Sequence, residues 1–292
     1  MGGAPVPFHI YEAAARSILT PVSGFLREAG FTHSLTPARN CTFGCSYCYV
    51  PTMRVQGGLQ QEDWLHWGEF TTFKSNAADL LKRGLRRGQV IYCSPLTDPY
   101  QPAEATRRLM PDVLKAAIAT PPSVFVIQTR GPSILRDLGL LVELKASTKL
   151  RVSFSVTTNR DDVRRIFEPH CAPIEERWRT IVALRDAGIE TSVALAPILP
   201  CDPETFIEMA VACSNGPVVA DPFHVRQVKR SGATTRPAAH AICERHGLME
   251  WLDPAFQQQI LNLMSARATA LNREFGHGPS GFGLLIPKNG TL

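Results

Sequence analysis

Six short apolar stretches, separated by segments of helical character, constrain the fold of this chain more than any other feature. Val90–Ser94, Val124–Thr129, Arg151–Thr157, Thr191–Ala196 and Val218–Val225 are rich in Val, Ile and Phe, and Ser34–Arg39 is a weaker first member. Near-continuous apolar strands suit a parallel sheet covered on both faces. Helices are expected between them at Ser75–Arg87, Ala103–Ala119, Ser133–Lys145, Ile174–Asp186 and Pro203–Cys213. Gly88 and Gly188 mark helix ends, and Asp202-Pro203 supplies an N-cap followed by Pro at the first helical position. The alternation predicts an α/β fold with a parallel sheet, open or closed into a barrel, and in both cases the site lies at the carboxyl ends of the strands. Six units over residues 34–230 are too few for an eight-fold barrel. Residues 1–33 read as an N-terminal extension. Residues 231–292 read as a separate helical C-terminal segment, with helices around Ala238–His246 and Pro254–Glu274 and a Gly-rich end.

A chain of 292 residues buries enough surface to fold without disulfide staples. It has no run of ~18 apolar residues, and Met1–Gly24 lacks the basic and apolar regions of a secretion signal. A cytoplasmic protein with no membrane segment is the expectation. In that compartment the eight cysteines are ligands, catalysts or core filler rather than disulfides. Three of them, Cys41, Cys45 and Cys48, fall in a C-x3-C-x2-C loop directly after the first strand. Such a loop can wrap one metal centre, and Gly44 permits the tight turn. Structural zinc sites and ordinary iron–sulfur clusters both take four protein ligands. Three thiols on a four-iron cluster leave one iron open, and an open position is what a catalytic metal needs. A zinc loop completed by a distant Cys or His would share the same spacing.

The cysteine loop, with Tyr47 before its third cysteine, resembles the radical S-adenosylmethionine (SAM) superfamily. That resemblance implies a partial (β/α)6 TIM-type barrel, a [4Fe–4S] cluster on Cys41, Cys45 and Cys48, and SAM on the open iron. It also implies an external electron donor of the flavodoxin or ferredoxin type. Further motifs narrow the likeness: CTFGCSYCYVP at Cys41–Pro51, SPLTDPYQPAE at Ser94–Glu104, TRGPSILRDLGLL at Thr129–Leu141, RVSFSVT at Arg151–Thr157, EPHCAP at Glu168–Pro173 and APILP at Ala196–Pro200. Together they are similar to the spore photoproduct lyase-like (DNA repair photolyase-like) family over roughly residues 31–225, and the likeness fails in the tail.

This family likeness implies roles residue by residue. Tyr47 would pack near SAM, and Tyr49 would return hydrogen to the product. Cys93 would donate hydrogen to the substrate radical, although it stands two residues before the position that matches the family's cysteine, where this chain has Pro95. Thr97 and Asp98, in a loop with Tyr100, Gln101 and Glu104, would bind the SAM amino group. Arg130 stands where the family usually has Lys and would neutralise the SAM carboxylate, with a different geometry. Ser153 and Ser155 share one face of their strand and would line the SAM site. Cys171, Cys201, Cys213 and Cys243 show no cluster spacing and are read as core or surface thiols.

The net charge of +5 permits a nucleic-acid partner without demanding one. Basic pairs at Lys82-Arg83, Arg86-Arg87, Arg107-Arg108, Arg164-Arg165 and Lys229-Arg230 offer phosphate contacts, with Arg226 and Arg236 near the barrel mouth. Helix ends in solvent explain the first two pairs equally well. The expected activity is reductive SAM cleavage followed by hydrogen abstraction from substrate, with reversal of a DNA lesion as the leading substrate class. Radical modification of a peptide, RNA or small metabolite is the alternative within enzymes. A non-catalytic metal-loop module that binds nucleic acid is the alternative outside them. Oligomeric state is not legible.

Overall fold

The computed structural model describes residues 8–52, 66–223 and 238–287. Eleven strands run in chain order: β1 His9–Ala13, β2 Leu19–Pro21, β3 His33–Leu35, β4 Ala38–Arg39, β5 Phe70–Lys74, β6 Val90–Cys93, β7 Val124–Thr129, β8 Lys149–Ser155, β9 Glu190–Leu195, β10 Val218–Ala220 and β11 Phe275–His277. Eight of them form one sheet in the order β11-β10-β9-β8-β7-β6-β3-β2, parallel throughout except for β2 against β3. The expected strand at Ser34–Arg39 divides in two. Pro37 has no N–H to donate to a ladder, so β3 stays in the main sheet while β4 pairs with β5 in a small sheet that also holds β1. That second sheet was not expected. Its β4 strand runs straight into the cysteine loop.

Two layers pack on the sheet, and strand parity decides which residues meet which. Ile91, Cys93, Phe125, Ile127, Val152 and Phe154 share one apolar cluster with Leu81, Leu114 and Leu141 of the surrounding helices. The residues between them face inward: Tyr92, Val126, Ala194 and Val219 pack with Phe31, Phe282 and Leu285 inside the partial barrel. Each fully buried Val, Leu, Ile or Phe side chain among them contributes about 1.5–3 kcal/mol.

The tail differs from the expectation of a separate helical segment. It holds helices Ala238–Arg245 and Pro254–Ala270, but then adds β11 to the main sheet beside β10. The helix Gly278–Gly283 follows, and Phe282 meets Phe25 edge-to-face at 5.2 Å between ring centroids. The tail therefore completes the sheet edge and packs Phe282 and Leu285 against the sheet face that carries Tyr92 and Val126. A three-residue FGH strand carries too little alternation to be seen from sequence. The expected helix at Ala103–Ala119 is also broken. Arg108 adopts a left-handed conformation at φ 52°, and the Glu104 carboxylate accepts the backbone N–H of Leu109 and Met110 at 3.0 Å each, starting the helix Met110–Ala119 afresh. Glu104 is thus a capping residue, tied also to Arg136 at 2.9 Å.

Candidate active site

The Asn40–Tyr49 loop sits at the carboxyl ends of the strands and is braced from two sides. Asn40 and Gly44 both take left-handed φ values, 62° and 61°. A Cβ on Gly44 would lie 3.2 Å from Gly68 Cα and from His170 Cδ2, so backbone and ring press directly on the turn. On one side, the loop after β6 holds it. Thr97 Oγ1 donates to the Asn40 carbonyl at 2.7 Å, and Gln101 Oε1 accepts from Thr42 N at 2.8 Å and from Thr42 Oγ1 at 3.1 Å. On the other side, Ser46 N donates to the Phe167 carbonyl at 2.9 Å. Cys41 and Cys45 are buried, whereas Cys48 is half-buried and no disulfide joins any of the described cysteines.

Beside the loop lies a buried charge network centred on Glu168. Its carboxylate binds Arg130 Nη1 at 2.5 Å, Arg177 Nη1 at 2.5 Å, Thr157 Oγ1 at 2.7 Å and the Tyr47 hydroxyl. Burial alone would raise the Glu168 pKa, but the guanidiniums of Arg177 and Arg130 with the two hydroxyls overcome it and bring the carboxyl down to about 2. Arg130 Nη1 also reaches Cys45 Sγ at 3.3 Å. The Cys45 thiol is held below its usual range, first by a hydrogen bond from Cys171, against the effect of burial, and by the Arg130 charge. Cys41 is pushed up by burial and by Asp98. The two buried thiols of the loop are thus shifted in opposite directions, and each must be deprotonated on ligation.

The model of the radical SAM superfamily matches residues 35–211, more than half of the chain. The chain belongs to the radical SAM superfamily. An uncharacterised protein of Mycobacterium tuberculosis is 29% identical over 206 residues, covering 67% of this chain and 57% of that one. An uncharacterised protein of Methanocaldococcus jannaschii is 26% identical over 160 residues, covering 55% and 58%. The chain spans less than two thirds of the length of these relatives. Among solved structures, a mutant spore photoproduct lyase superposes with a TM-score of 0.64 at 13% identity, covering 92% of this chain and 81% of that one. The same lyase complexed with dinucleoside spore photoproduct gives 0.62 at 14%. At that identity the likeness is one of fold.

Radical SAM membership implies a [4Fe–4S] cluster with SAM, and the donor set fits both. Three thiols on one loop match the three protein ligands that such a cluster takes. Asn40 Nδ2 and Ser153 Oγ are buried without hydrogen-bond partners, as expected of groups that await a polar ligand. The other expected SAM contacts are placed unevenly. Ser155 is buried and its hydroxyl accepts from Gln128 Nε2 at 2.8 Å, while Gln128 Oε1 accepts from the Tyr92 hydroxyl at 2.9 Å. Asp98 spends its carboxylate locally, on Tyr100 N at 2.8 Å, Thr129 Oγ1 at 2.6 Å and Arg130 N at 2.8 Å. It positions Arg130 and joins two loops. Thr97 likewise braces the cysteine loop through its hydroxyl.

Cys93 is not brought to the barrel interior. It is fully buried in the cluster between sheet and helices, opposite Ile127 in register, so it reads as core. Cys93→Ala should cost about 1–2 kcal/mol through the small cavity left behind, measured as a lower urea midpoint. Tyr49, by contrast, lies at the mouth: the residue is 38% exposed and its hydroxyl donates to the Pro95 carbonyl of the loop after β6. Glu168, Thr157 and Arg177 went unnoticed as site residues, although the EPHCAP motif marks the first of them. Several basic pairs are already engaged: Arg107 with Glu12, and Arg164 and Arg165 with Asp161. Arg226, Lys229, Arg230 and Arg236 lie outside the described residues.

Proposed function

We propose that Cys41, Cys45 and Cys48 hold a [4Fe–4S] cluster whose fourth iron binds SAM, and that the enzyme abstracts hydrogen from a nucleic-acid lesion or a related substrate. The observation that carries this reading is the three-thiol loop braced at the mouth of a parallel barrel. Bound there, cluster and SAM would supply a 5′-deoxyadenosyl radical after one-electron reduction by a flavodoxin- or ferredoxin-type donor. The chain's own residues prepare the site. Thr97 and Gln101 fix the loop from one side and Ser46 from the other, so the backbone that carries the thiols is held on both sides. Arg130, set by Asp98 through its backbone N–H, places a guanidinium beside Cys45 where the SAM carboxylate would be met. Ser153 and Ser155 line the interior with hydroxyls.

Anaerobic reconstitution with iron and sulfide tests the reading. About four irons per chain and 5′-deoxyadenosine formed under dithionite are the expected results. Stoichiometric zinc without SAM cleavage would overturn it. The substrate class is supported by the likeness of fold to a lyase seen with a dinucleoside lesion. Deuterium transfer from a labelled lesion-bearing oligonucleotide into 5′-deoxyadenosine would establish it. The family likeness supports a hydrogen-return step at Tyr49, and the partial exposure of this residue is compatible with it. Tyr49→Phe should lower product yield about tenfold or more while SAM cleavage continues, whereas Cys93→Ala should leave yield unchanged. The reverse pattern would restore Cys93 as donor.

A further inference from the structure

Cys171 lies 123 residues from the nearest cysteine of the loop, yet the fold sets it against that loop. The Cys45 and Cys171 sulfurs and a Glu168 carboxylate oxygen all lie within 4.8 Å of one another, and all three residues are buried. The placement is built rather than incidental. Ser46, between Cys45 and Cys48, bonds the Phe167 carbonyl through its backbone N–H at 2.9 Å and its hydroxyl at 3.2 Å. The neighbouring His170 ring packs on Gly44. Cys171 itself is held at both ends of its backbone: its N–H donates to the Glu168 carbonyl at 3.1 Å, and its carbonyl accepts from Arg164 Nη1 at 2.9 Å. A rigid segment thus carries a fourth thiol to the wall of a three-thiol loop.

We propose that Cys171 is the fourth protein ligand of the cluster in the SAM-free enzyme and that SAM displaces it. The inference rests on the radical SAM reading of Cys41, Cys45 and Cys48. Four thiolates are the ordinary complement of a four-iron cluster, and a soft thiolate suits iron better than the Glu168 carboxylate, which already serves four hydrogen-bond partners. On ligation the Cys171 thiol releases its proton to solvent, and on displacement the thiolate takes one up again. No electron moves in either direction. The consequence is protection: the iron that must be open for SAM is covered until SAM arrives. It also lowers the apparent SAM affinity, because only the fraction with the thiolate released can bind.

Mössbauer spectra of the ⁵⁷Fe-reconstituted wild-type enzyme test this without any substitution. Without SAM, no iron site should be distinguished by oxygen or nitrogen ligation, and adding SAM should create one. Ferricyanide oxidation of the SAM-free enzyme should yield little [3Fe–4S] signal from the wild type and much from Cys171→Ala and Cys171→Ser. At equal cluster content, SAM should bind Cys171→Ala about tenfold more tightly or better. A distinct iron site in the SAM-free wild type, or equal [3Fe–4S] yields and equal SAM affinities in wild type and variants, would overturn the proposal. Absence of any four-iron cluster in the wild type is a different failure. It would overturn the radical SAM reading, and this inference with it.

Discussion

Replacing Cys48 with alanine should abolish SAM cleavage, by ~10⁶-fold or more given the size of enzymic rate enhancements, while leaving the protein folded. Cys48 separates the two effects better than its partners. Cys41 and Cys45 are buried at 8% and 6% exposure within the apolar cluster that includes Phe43, Tyr47 and Phe167, so their loss mixes chemistry with packing. Cys48 stands at the margin of that cluster and is only half-buried. Truncating it should cost within about 1 kcal/mol, because a partly exposed thiol leaves a small cavity. With Cys48 gone, Cys171 cannot make up the loss once SAM displaces it, and two loop thiols do not retain a four-iron centre. 5′-Deoxyadenosine should therefore vanish, and iron content and the brown chromophore should be lost when SAM is added, while the circular dichroism spectrum and urea midpoint hold. A Cys48→Ala enzyme that keeps about four irons and cleaves SAM would remove this cysteine from the ligand set.

Five central strands, β6 to β10, were legible because buried parallel strands are continuous apolar runs bounded by turn residues. The same continuity hid which way their side chains point. Val90–Cys93 reads VIYC, with no polar partner to set the alternation, so only the sheet register shows that Tyr92 faces the barrel interior and Cys93 the helices. The cysteine loop was legible because its spacing is local. Its supports were not, because Ser46–Phe167 and Cys45–Cys171 are contacts between distant segments, and one sequence carries no trace of such pairing. The helix Asp161–Phe167, which delivers both Glu168 and Cys171, is seven residues long with two acidic residues in its first turn. It is too short for its periodicity to stand out. The strand β5, FTTFK, alternates buried and half-buried positions but was lost beside stronger apolar runs. No described helix is long and apolar enough to cross a membrane.

Glu168→Gln should destabilise the protein by about 3–5 kcal/mol, the range for removing one partner of a buried ion pair. The reason lies in Arg177. Its side chain is fully buried, its guanidinium pairs with Glu168 at 2.5 Å, and it also donates to the Ser155 carbonyl. A neutral amide leaves that charge inside the protein without a counter-ion. Arg130 would lose the same partner but is 14% exposed, so it can recover some hydration. At roughly 2–4 °C per kcal/mol for a domain of this size, the melting temperature should fall by about 6 °C or more. The pH dependence has a definite sign. The folded carboxyl titrates at about 2 against an ordinary 4.5. Its contribution is therefore complete above pH 4.5 and is lost as the pH falls through that interval towards 2. Melting curves should show a constant gap between wild type and Glu168→Gln at pH 6–8, narrowing below pH 4.5. Adding Arg177→Met to Glu168→Gln removes the orphaned charge and fills its space with an apolar chain, so the double variant should recover part of the loss. A gap that persists unchanged to pH 3, or a double variant less stable than Glu168→Gln, would show that burial of charge is not what this network stabilises. The network also orients Tyr47 and Arg130 beside Cys45. The variant should therefore lose SAM affinity even at temperatures where it is fully folded, because the same carboxylate that neutralises Arg177 aims the guanidinium at the site.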